Sequence, residues 1–167
     1  MIRRVLFICI LFTGFLSSTM FAGEPKSIGK HKNCEAFVYT DGKEKVCFAQ
    51  TIPLERAPKN FNSEASRLFG TFRKSENIKN EISVTSGHEY KSSSVMAKTG
   101  KNEFSLFSQG NFAWLIDGEE EYNLIKTMKK ASKLSVNAVA KNGSQTKDLY
   151  SMMGFTKAYN AARKSCA

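Results

Sequence analysis

Four carboxylic acids and the only tryptophan of this sequence lie close together, in the stretch FAWLIDGEEE. Carboxylates can take up and release protons beside a bound substrate, so this stretch raises the hypothesis of an active site next to Trp114. The same acids also fit the start of a helix. Asp117 stands at the N-cap and Glu120 three residues later, which is the spacing of a capping box. Glu119 and Glu121 fall in the first turn, where the helix dipole favours negative charge, so we predict a structural role for all four acids.

The residues after the acids support this helix. Leu124, Ile125, Met128 and Ala131 form an apolar stripe at helical spacing, and lysines lie toward the end, where the dipole favours positive charge. Trp114 comes three residues before the cap, and we predict that it anchors the core or covers the sheet edge. The alternative is that Trp114 is an exposed aromatic residue that binds a ligand.

The usual catalytic and metal-binding patterns are missing from the sequence. Its two histidines, His31 and His88, have no second histidine or cysteine at ligand spacing. There is no G-x-S-x-G, no H-E-x-x-H and no phosphate-binding glycine loop. We therefore predict no catalytic residue, no metal site and no cofactor.

The first 22 residues have the pattern of a secretory signal peptide. Arg3 and Arg4 precede an apolar run at 5–16, which is short for a membrane span, and small residues lead to a predicted cleavage after Ala22. No later stretch could cross a bilayer as a helix. The predicted location is therefore the periplasm or the outer envelope.

The exported chain is strongly basic. The formal net charge is +10 for the whole sequence and +8 once Arg3 and Arg4 leave with the leader. Its lysines are dispersed over several segments and form no tail. This charge favours association with an anionic envelope component, and another envelope protein is the alternative partner. Nucleic acid is not an expected partner of an exported chain.

Strand patterns dominate the chain after the leader. β-rich runs flank Asp41-Gly42, a pair typical of tight turns, and a second hairpin has Asn142-Gly143 at its tip. The resulting fold prediction is mostly β, an antiparallel sandwich or partly closed barrel with two short helices, one internal and one C-terminal. The predicted segments are a flexible lead-in at 23–33, a single domain at 34–167, a loop at 52–66, strands at 67–74 and 80–87, and a meander at 95–116.

Three cysteines remain after the leader, so an oxidising compartment predicts one disulfide and one free thiol. A two-residue turn at Asp41-Gly42, which pairs position 40 with position 43, makes Cys34 and Cys47 diagonal neighbours at or beyond the reach of a disulfide. Cys166 lies on the inward stripe of the last predicted helix. These observations favour a Cys47–Cys166 bond, with Cys34 as the free thiol.

Several stretches, taken in order and together with the predicted signal peptide, carry a family resemblance: KVCFAQTIP, KNEISVTSGHEYKSSSVM, NEFSLFSQGNFAWL, MKKASKLSV and LYSMMGFTKAYNAARKSC. They resemble the invasion-associated locus B family of exported alphaproteobacterial proteins. The resemblance implies a β-rich periplasmic or outer-envelope domain without established enzymatic activity, in a family named for members linked to host-cell entry. It also implies cysteines at positions 47 and 166. Cys34 departs from the pattern, because relatives tend to carry an aromatic residue there.

Two functional hypotheses follow from the sequence. The first is a non-enzymatic envelope protein that acts as a binding or interaction module. The second is a small periplasmic redox or hydrolytic enzyme that uses Cys34 as a free thiol. Reactive thiols lie at helix N-termini or beside cations. Cys34 has Lys32 nearby but opens a predicted strand, so the first hypothesis is favoured.

Overall fold

The computed structural model describes residues 23–42, 44–59 and 65–167, so the predicted signal peptide lies outside the described residues. Their structure is mostly β with two helices, as the sequence predicts. In chain order the elements are β1 Lys26–His31, β2 Cys34–Asp41, β3 Glu44–Thr51, β4 Pro53–Ala57, β5 Arg67–Arg73, β6 Ile78–Thr85, β7 Val95–Thr99, β8 Asn102–Gln109, β9 Phe112–Trp114, α1 Gly118–Met128, β10 Lys133–Val139, β11 Gln145–Ser151 and α2 Phe155–Ser165.

The eleven strands form one antiparallel sheet in the order β1-β2-β3-β5-β6-β9-β8-β7-β10-β11-β4. The terminal strands β1 and β4 are not neighbours in this order, so the sheet does not close into a barrel. Its two halves share one core, because Leu68 and Ile82 from one half belong to the same buried cluster as Leu134 and Tyr150 from the other. The architecture is therefore sandwich-like.

Alternation along the strands separates an inner face from an outer face. On β3, Cys47 and Ala49 are buried, while Phe48 between them is only partly buried and faces outward. The buried face of β2 and β3 includes the small residues Cys34, Ala36, Cys47 and Ala49, and α2 packs against these two strands. At Gly70 a Cβ would come 3.1 Å from the ring of Tyr159, so the absent side chain makes room for the helix.

Two segments predicted to be irregular contain strands. The predicted flexible lead-in at 23–33 holds β1, which pairs with β2. Its far end is anchored, because the backbone N–H of Asn33 donates to the Met153 carbonyl at 3.2 Å. Gly154 (φ 95°) lies so close to the His31 carbonyl that any side chain there would collide with it. This anchoring comes from the C-terminal part of the chain, which local sequence patterns do not show.

The second such segment is the predicted loop at 52–66, whose first part is the strand β4. β4 pairs only with β11 and is the last strand of the sheet. An edge strand tolerates proline because one side of its backbone needs no partner, so Pro53 at its start is allowed.

The register of the first hairpin also differs from the prediction. Asp41 pairs with Glu44, so the turn lies one residue later than predicted, and Gly42 adopts a left-handed φ of 56°. Cys34 consequently faces Thr51, and Cys47 faces Val38. The predicted pairing of position 40 with 43 was wrong, but the two cysteines remain unsuited to bond with each other.

Candidate functional site

The acids that follow Trp114 begin α1. Asp117 is the N-cap, and its side chain accepts hydrogen bonds from the backbone N–H groups of Glu119 at 3.0 Å and Glu120 at 2.8 Å. These bonds satisfy donors that have no partner within the helix. Asp117, Glu119 and Glu120 are exposed. These bonds match the predicted role of Asp117 as the helix N-cap, while the side-chain role predicted for Glu120 stays a prediction.

Glu121 has a different role from the other acids. It is buried, and its Oε1 accepts a hydrogen bond from the backbone N–H of Ile82 at 2.7 Å. Ile82 lies just beyond the last residue pair of β6 and β9, so the carboxylate satisfies a strand donor that β9 does not reach. Burial raises the pKa of Glu121, the bond from Ile82 opposes this, and nearby Glu81 adds to the increase. No local sequence pattern predicts this contact, because it joins residues far apart in the chain.

We expect the substitution Asp117→Ala to lower the free energy of unfolding by about 1 kcal/mol, because two helix N–H groups lose their acceptor. Denaturant unfolding measures the change. Asp117→Asn is the matched control, since asparagine caps about as well as aspartate. A variant Asp117→Ala that unfolds like the parent, yet no longer binds anionic vesicles, would show that the acids act in binding and not in capping.

The cysteines pair as the sequence favours. Cys47 and Cys166 form a disulfide across a separation of 119 residues, which joins the end of α2 to β3. Cys34 is the free thiol; it is buried, and its Sγ lies 3.8 Å from the Ser151 carbonyl oxygen. Burial raises the pKa of the Cys34 thiol to about 11, partly opposed by a hydrogen bond with Thr51. Such a thiol stays protonated near neutral pH, which weighs against a nucleophilic role.

A buried polar cluster lies between β4 and β11. Arg56 and Asp148 are register partners, and their side chains form a bidentate ion pair. Arg56 Nε donates to Asp148 Oδ1 at 2.6 Å, and Arg56 Nη2 donates to Asp148 Oδ2 at 3.1 Å. Each side chain is only 10% exposed. Tyr150 Oη lies 3.5 Å from the second carboxylate oxygen of Asp148. A paired geometry of this kind offsets much of the cost of burying both charges.

The rim of this polar cluster comes from the segment between β6 and β7. The rings of His88 and Tyr90 meet edge to face at 5.4 Å, and His88 Nε2 lies 3.5 Å from Thr146 Oγ1. Burial lowers the pKa of His88; Asp148 opposes the change and Arg56 adds to it. Burial raises the pKa of Tyr90 to about 12. His88 is thus neutral and Tyr90 protonated at neutral pH, which suits a structural network that fixes the edge strand β4.

No metal centre is evident in the described structure. Among residues 23–42, 44–59 and 65–167, no group of three or more His, Cys, Asp or Glu side chains is placed to hold an ion. His31 and His88 lie on different elements, and each has its own surroundings. Within the same residues no helix is both long and apolar enough to cross a bilayer.

Trp114 lies on the outer face of the sheet, which differs from its predicted place in the core or over the sheet edge. Its neighbour Ala113 is fully buried, so the alternation of β9 turns Trp114 outward. Its ring packs edge to face on Phe107 at 5.1 Å, and Phe107 is itself 44% exposed. Trp114 itself is partly buried, so it lies outside the core, and its role as a binding aromatic stays a prediction.

Two clefts meet near the C-terminal end of α1, and lysines line both. The first, of about 770 Å³, is lined by Lys101, Lys126 and Lys130 between the β7–β8 turn and the helix. The second, of about 510 Å³, is lined by Lys32, Lys129 and Lys157. Ala131 lines both clefts, which makes them neighbours. We call these six lysines the lysine strip.

The surroundings of the lysine strip are suited to an anion. Lys101, Lys126, Lys130, Lys32 and Lys157 are exposed, and Glu103 is the only acid lining the clefts within the described structure. Glu103 is also bound to Lys98 at 2.8 Å, outside the strip. Lys129 lies 4.4 Å above the ring of Tyr159, where burial and then Arg163 lower its pKa. The lysines that looked dispersed in the sequence are therefore gathered by the fold.

Comparison with known proteins gives no identification. The chain matches no protein-family model, and no curated protein or solved structure is significantly similar to it. The function therefore has to be argued from the described surfaces themselves.

Proposed function

We propose that this protein is a non-enzymatic binding module of the bacterial envelope, of the invasion-associated locus B type, that binds an anionic envelope component. The observation that carries the proposal is the lysine strip. Two adjacent clefts present six lysines and one acid, and that acid is already engaged by Lys98. An anionic headgroup or sugar phosphate placed there would meet several ammonium groups at once.

The binding free energy of such a surface increases with the number of lysines that contact the anion and decreases as salt is added. A lysine near an anionic membrane surface contributes about 1 kcal/mol, so several acting together give useful affinity. These interactions are screened over about 10 Å at 0.1 M salt, because the side chains are exposed. Binding through the lysine strip should therefore be strong at low ionic strength and weak at high ionic strength.

Export of the chain is the second part of the proposal. The predicted signal peptide at 1–22 would deliver the protein to the periplasm or to the outer envelope. A disulfide between Cys47 and Cys166 is compatible with an oxidising compartment, where such bonds persist. Anionic phospholipid and lipopolysaccharide are both present in such an envelope, and another envelope protein with an acidic surface is the alternative partner.

The competing hypothesis is an enzyme that uses Cys34. The thiol is 1% exposed, its pKa is raised to about 11, and no cation pairs with it in the described contacts. Each of these observations weighs against a thiolate nucleophile. Thiol labelling of the folded protein separates the hypotheses, since slow modification near neutral pH supports the binding module and fast modification supports the enzyme.

The lysine strip is tested by charge reversal. We expect Lys126→Glu combined with Lys130→Glu to weaken retention on anionic phospholipid or lipopolysaccharide vesicles at least about tenfold, since two attractive contacts become repulsive. The matched control is Lys45→Glu combined with Lys91→Glu, which changes the net charge equally at two exposed lysines outside both clefts. Vesicle co-sedimentation over a range of salt measures both pairs.

Equal loss in the two double variants would mean that net charge, and not the lysine strip, governs binding. Wild-type protein that stays in the supernatant at low salt, or that sediments equally at all salt concentrations, would contradict the proposal.

A further inference from the structure

The lysine strip contains an exposed methionine as well as its cations. Met153 lines the second cleft together with Lys32, Lys129 and Lys157, and it is 43% exposed. Its neighbour Met152 is buried in the core, so the turn before α2 places one methionine inside and presents the other to the cleft. The second cleft therefore offers an apolar side chain among ammonium groups.

The first cleft has an exposed apolar ring beside it. Tyr122 is 63% exposed and lies on α1, four residues before Lys126, so the two side chains are neighbours on the helix surface. Lys126 lines the first cleft. Tyrosine combines an apolar ring with a polar hydroxyl, and this combination suits the boundary between water and lipid. Each cleft thus has an apolar side chain close to its lysines.

The course of the chain places these two side chains on either side of the lysines. Tyr122 lies six residues before Met128, where α1 ends, which is roughly 9 Å along the helix axis. Lys129 and Lys130 follow at once, and they line the second and the first cleft, respectively. Met153 lies beyond them in the second cleft. The strip is therefore a band of cations with an apolar side chain toward each end.

The charges along α1 give this surface a preferred orientation toward a negative plane. Asp117, Glu119 and Glu120 lie at the first turn, whereas the lysines of the strip lie at the other end. The helix has 11 residues and is about 16 Å long, which exceeds the screening length of about 10 Å at 0.1 M salt. A negative surface thus attracts the C-terminal end of α1 while the acids stay out of its range.

We propose that the lysine strip binds the surface of an anionic phospholipid bilayer, with Met153 and Tyr122 inserted among the headgroups. Insertion of this kind rests on the proposed function, since it specifies the form in which the strip meets its anion. In a phospholipid layer the phosphates lie directly above the acyl chains, so lysines and apolar side chains of one surface find their partners together. A soluble phosphate would leave both apolar side chains in water.

Insertion predicts that two neutral substitutions weaken binding. Met153→Ser and Tyr122→Ser should each reduce co-sedimentation with vesicles of equal parts phosphatidylglycerol and phosphatidylcholine about fivefold at low salt. Each removes apolar surface that the bilayer would cover and leaves the net charge of the protein unchanged. Electrostatic attraction alone would not be affected by either change.

Phe112→Ser is the matched control. Phe112 is 50% exposed, and it pairs with Gln109 at one end of β8, whereas Asn102 at the other end of β8 lines the first cleft. The two ends of this strand lie roughly 24 Å apart. The control should therefore sediment like the parent. An equal loss in Phe112→Ser would overturn the assignment of insertion to the strip.

The depth of insertion is measured with tryptophan fluorescence. Trp114 is the only tryptophan in the chain, so Trp114→Phe combined with Met153→Trp places the single emitting ring in the strip. We expect vesicles of the same lipids, brominated on their acyl chains, to quench this emission, and unbrominated vesicles to shift it to shorter wavelength. Trp114→Phe combined with Phe112→Trp should be quenched by neither. Thermal melts identify any variant that fails to fold, and the two serine variants do not depend on this background.

Two results would overturn insertion and leave the proposed function standing. One is that Met153→Ser and Tyr122→Ser sediment like the parent while the Lys126→Glu, Lys130→Glu double variant is lost from the vesicles. The other is unquenched emission from Met153→Trp in protein that sediments with the brominated vesicles, which would show contact with headgroups alone. Wild-type protein that stays in the supernatant at low salt would instead overturn the proposed function, and insertion with it.

Discussion

Replacing both Cys47 and Cys166 with alanine is expected to lower the free energy of unfolding by about 5 kcal/mol. The disulfide closes a loop of 119 residues, and closing a loop of this length removes much entropy from the unfolded chain. Both residues should change together, because a single leftover thiol could exchange with another cysteine. Denaturant unfolding measures the loss, and Cys34→Ala, which keeps the disulfide, is the control and should cost much less.

Unfolding of the protein without this disulfide should begin at α2. This helix has 11 residues, and helices of that length need tertiary anchoring to persist. Its buried stripe of Phe155, Ala158, Tyr159 and Ala162 supplies part of that anchor, and the disulfide supplies the rest. Limited proteolysis of the reduced protein should therefore cut within 155–167 before it cuts the sheet. Cleavage in the sheet first, or a change in unfolding free energy below about 1 kcal/mol, would show that the bond does not hold the helix.

The second large effect is expected for Asp148→Ala, which should cost about 3–5 kcal/mol of unfolding free energy. The substitution removes the carboxylate that forms a bidentate ion pair with Arg56, and removing one member of a buried ion pair is expensive. Glu89→Ala breaks the exposed Lys141–Glu89 pair and is the matched control. We expect no measurable change there, because exposed pairs contribute little.

A double-mutant cycle separates the ion pair from the packing around it. Arg56→Met combined with Asp148→Leu removes both charges and keeps apolar volume, so it should be less destabilising than Asp148→Ala alone. If the effects of the two single substitutions simply add, the charges do not interact in the folded protein. In that case the polar cluster would not be what holds β4 to β11.

The parts of the fold that local patterns determine could be predicted from the sequence. Turn residues such as Gly100 and Gly143, each with positive φ, end strands of alternating polarity, so the hairpins were predictable. Asp117 and the apolar stripe behind it located α1. The favoured cysteine pair was also correct, because the inward stripe of α2 and the distance between Cys34 and Cys47 both pointed to it.

What the sequence did not reveal depends on contacts between distant segments. β1 and β4 are edge strands with weak patterns, and their partners β2 and β11 give them their structure. The polar cluster joins residues near 56, 88 and 148, which are too far apart in the chain for a local sequence pattern to predict it. Trp114 was placed wrongly because a three-residue strand gives too little alternation to assign a face.

The lysine strip illustrates the same limit for function. Its members come from the turn after β1, the β7–β8 turn, α1 and the turn after it, and α2, and only the fold brings them around Ala131. In the sequence they look like an ordinary solvated surface. A surface assembled in this way can be recognised only when the positions of the elements are known.

The most direct test of the proposed function is to map where an anionic lipid touches the folded protein. Backbone amide resonances are followed by NMR while a short-chain anionic phospholipid is added at low salt. We predict that the shifts concentrate at Lys101, at 126–131 and at Lys157, and that they vanish as salt is added. Shifts spread evenly over the surface, or centred on the Arg56–Asp148 cluster, would contradict binding through the lysine strip.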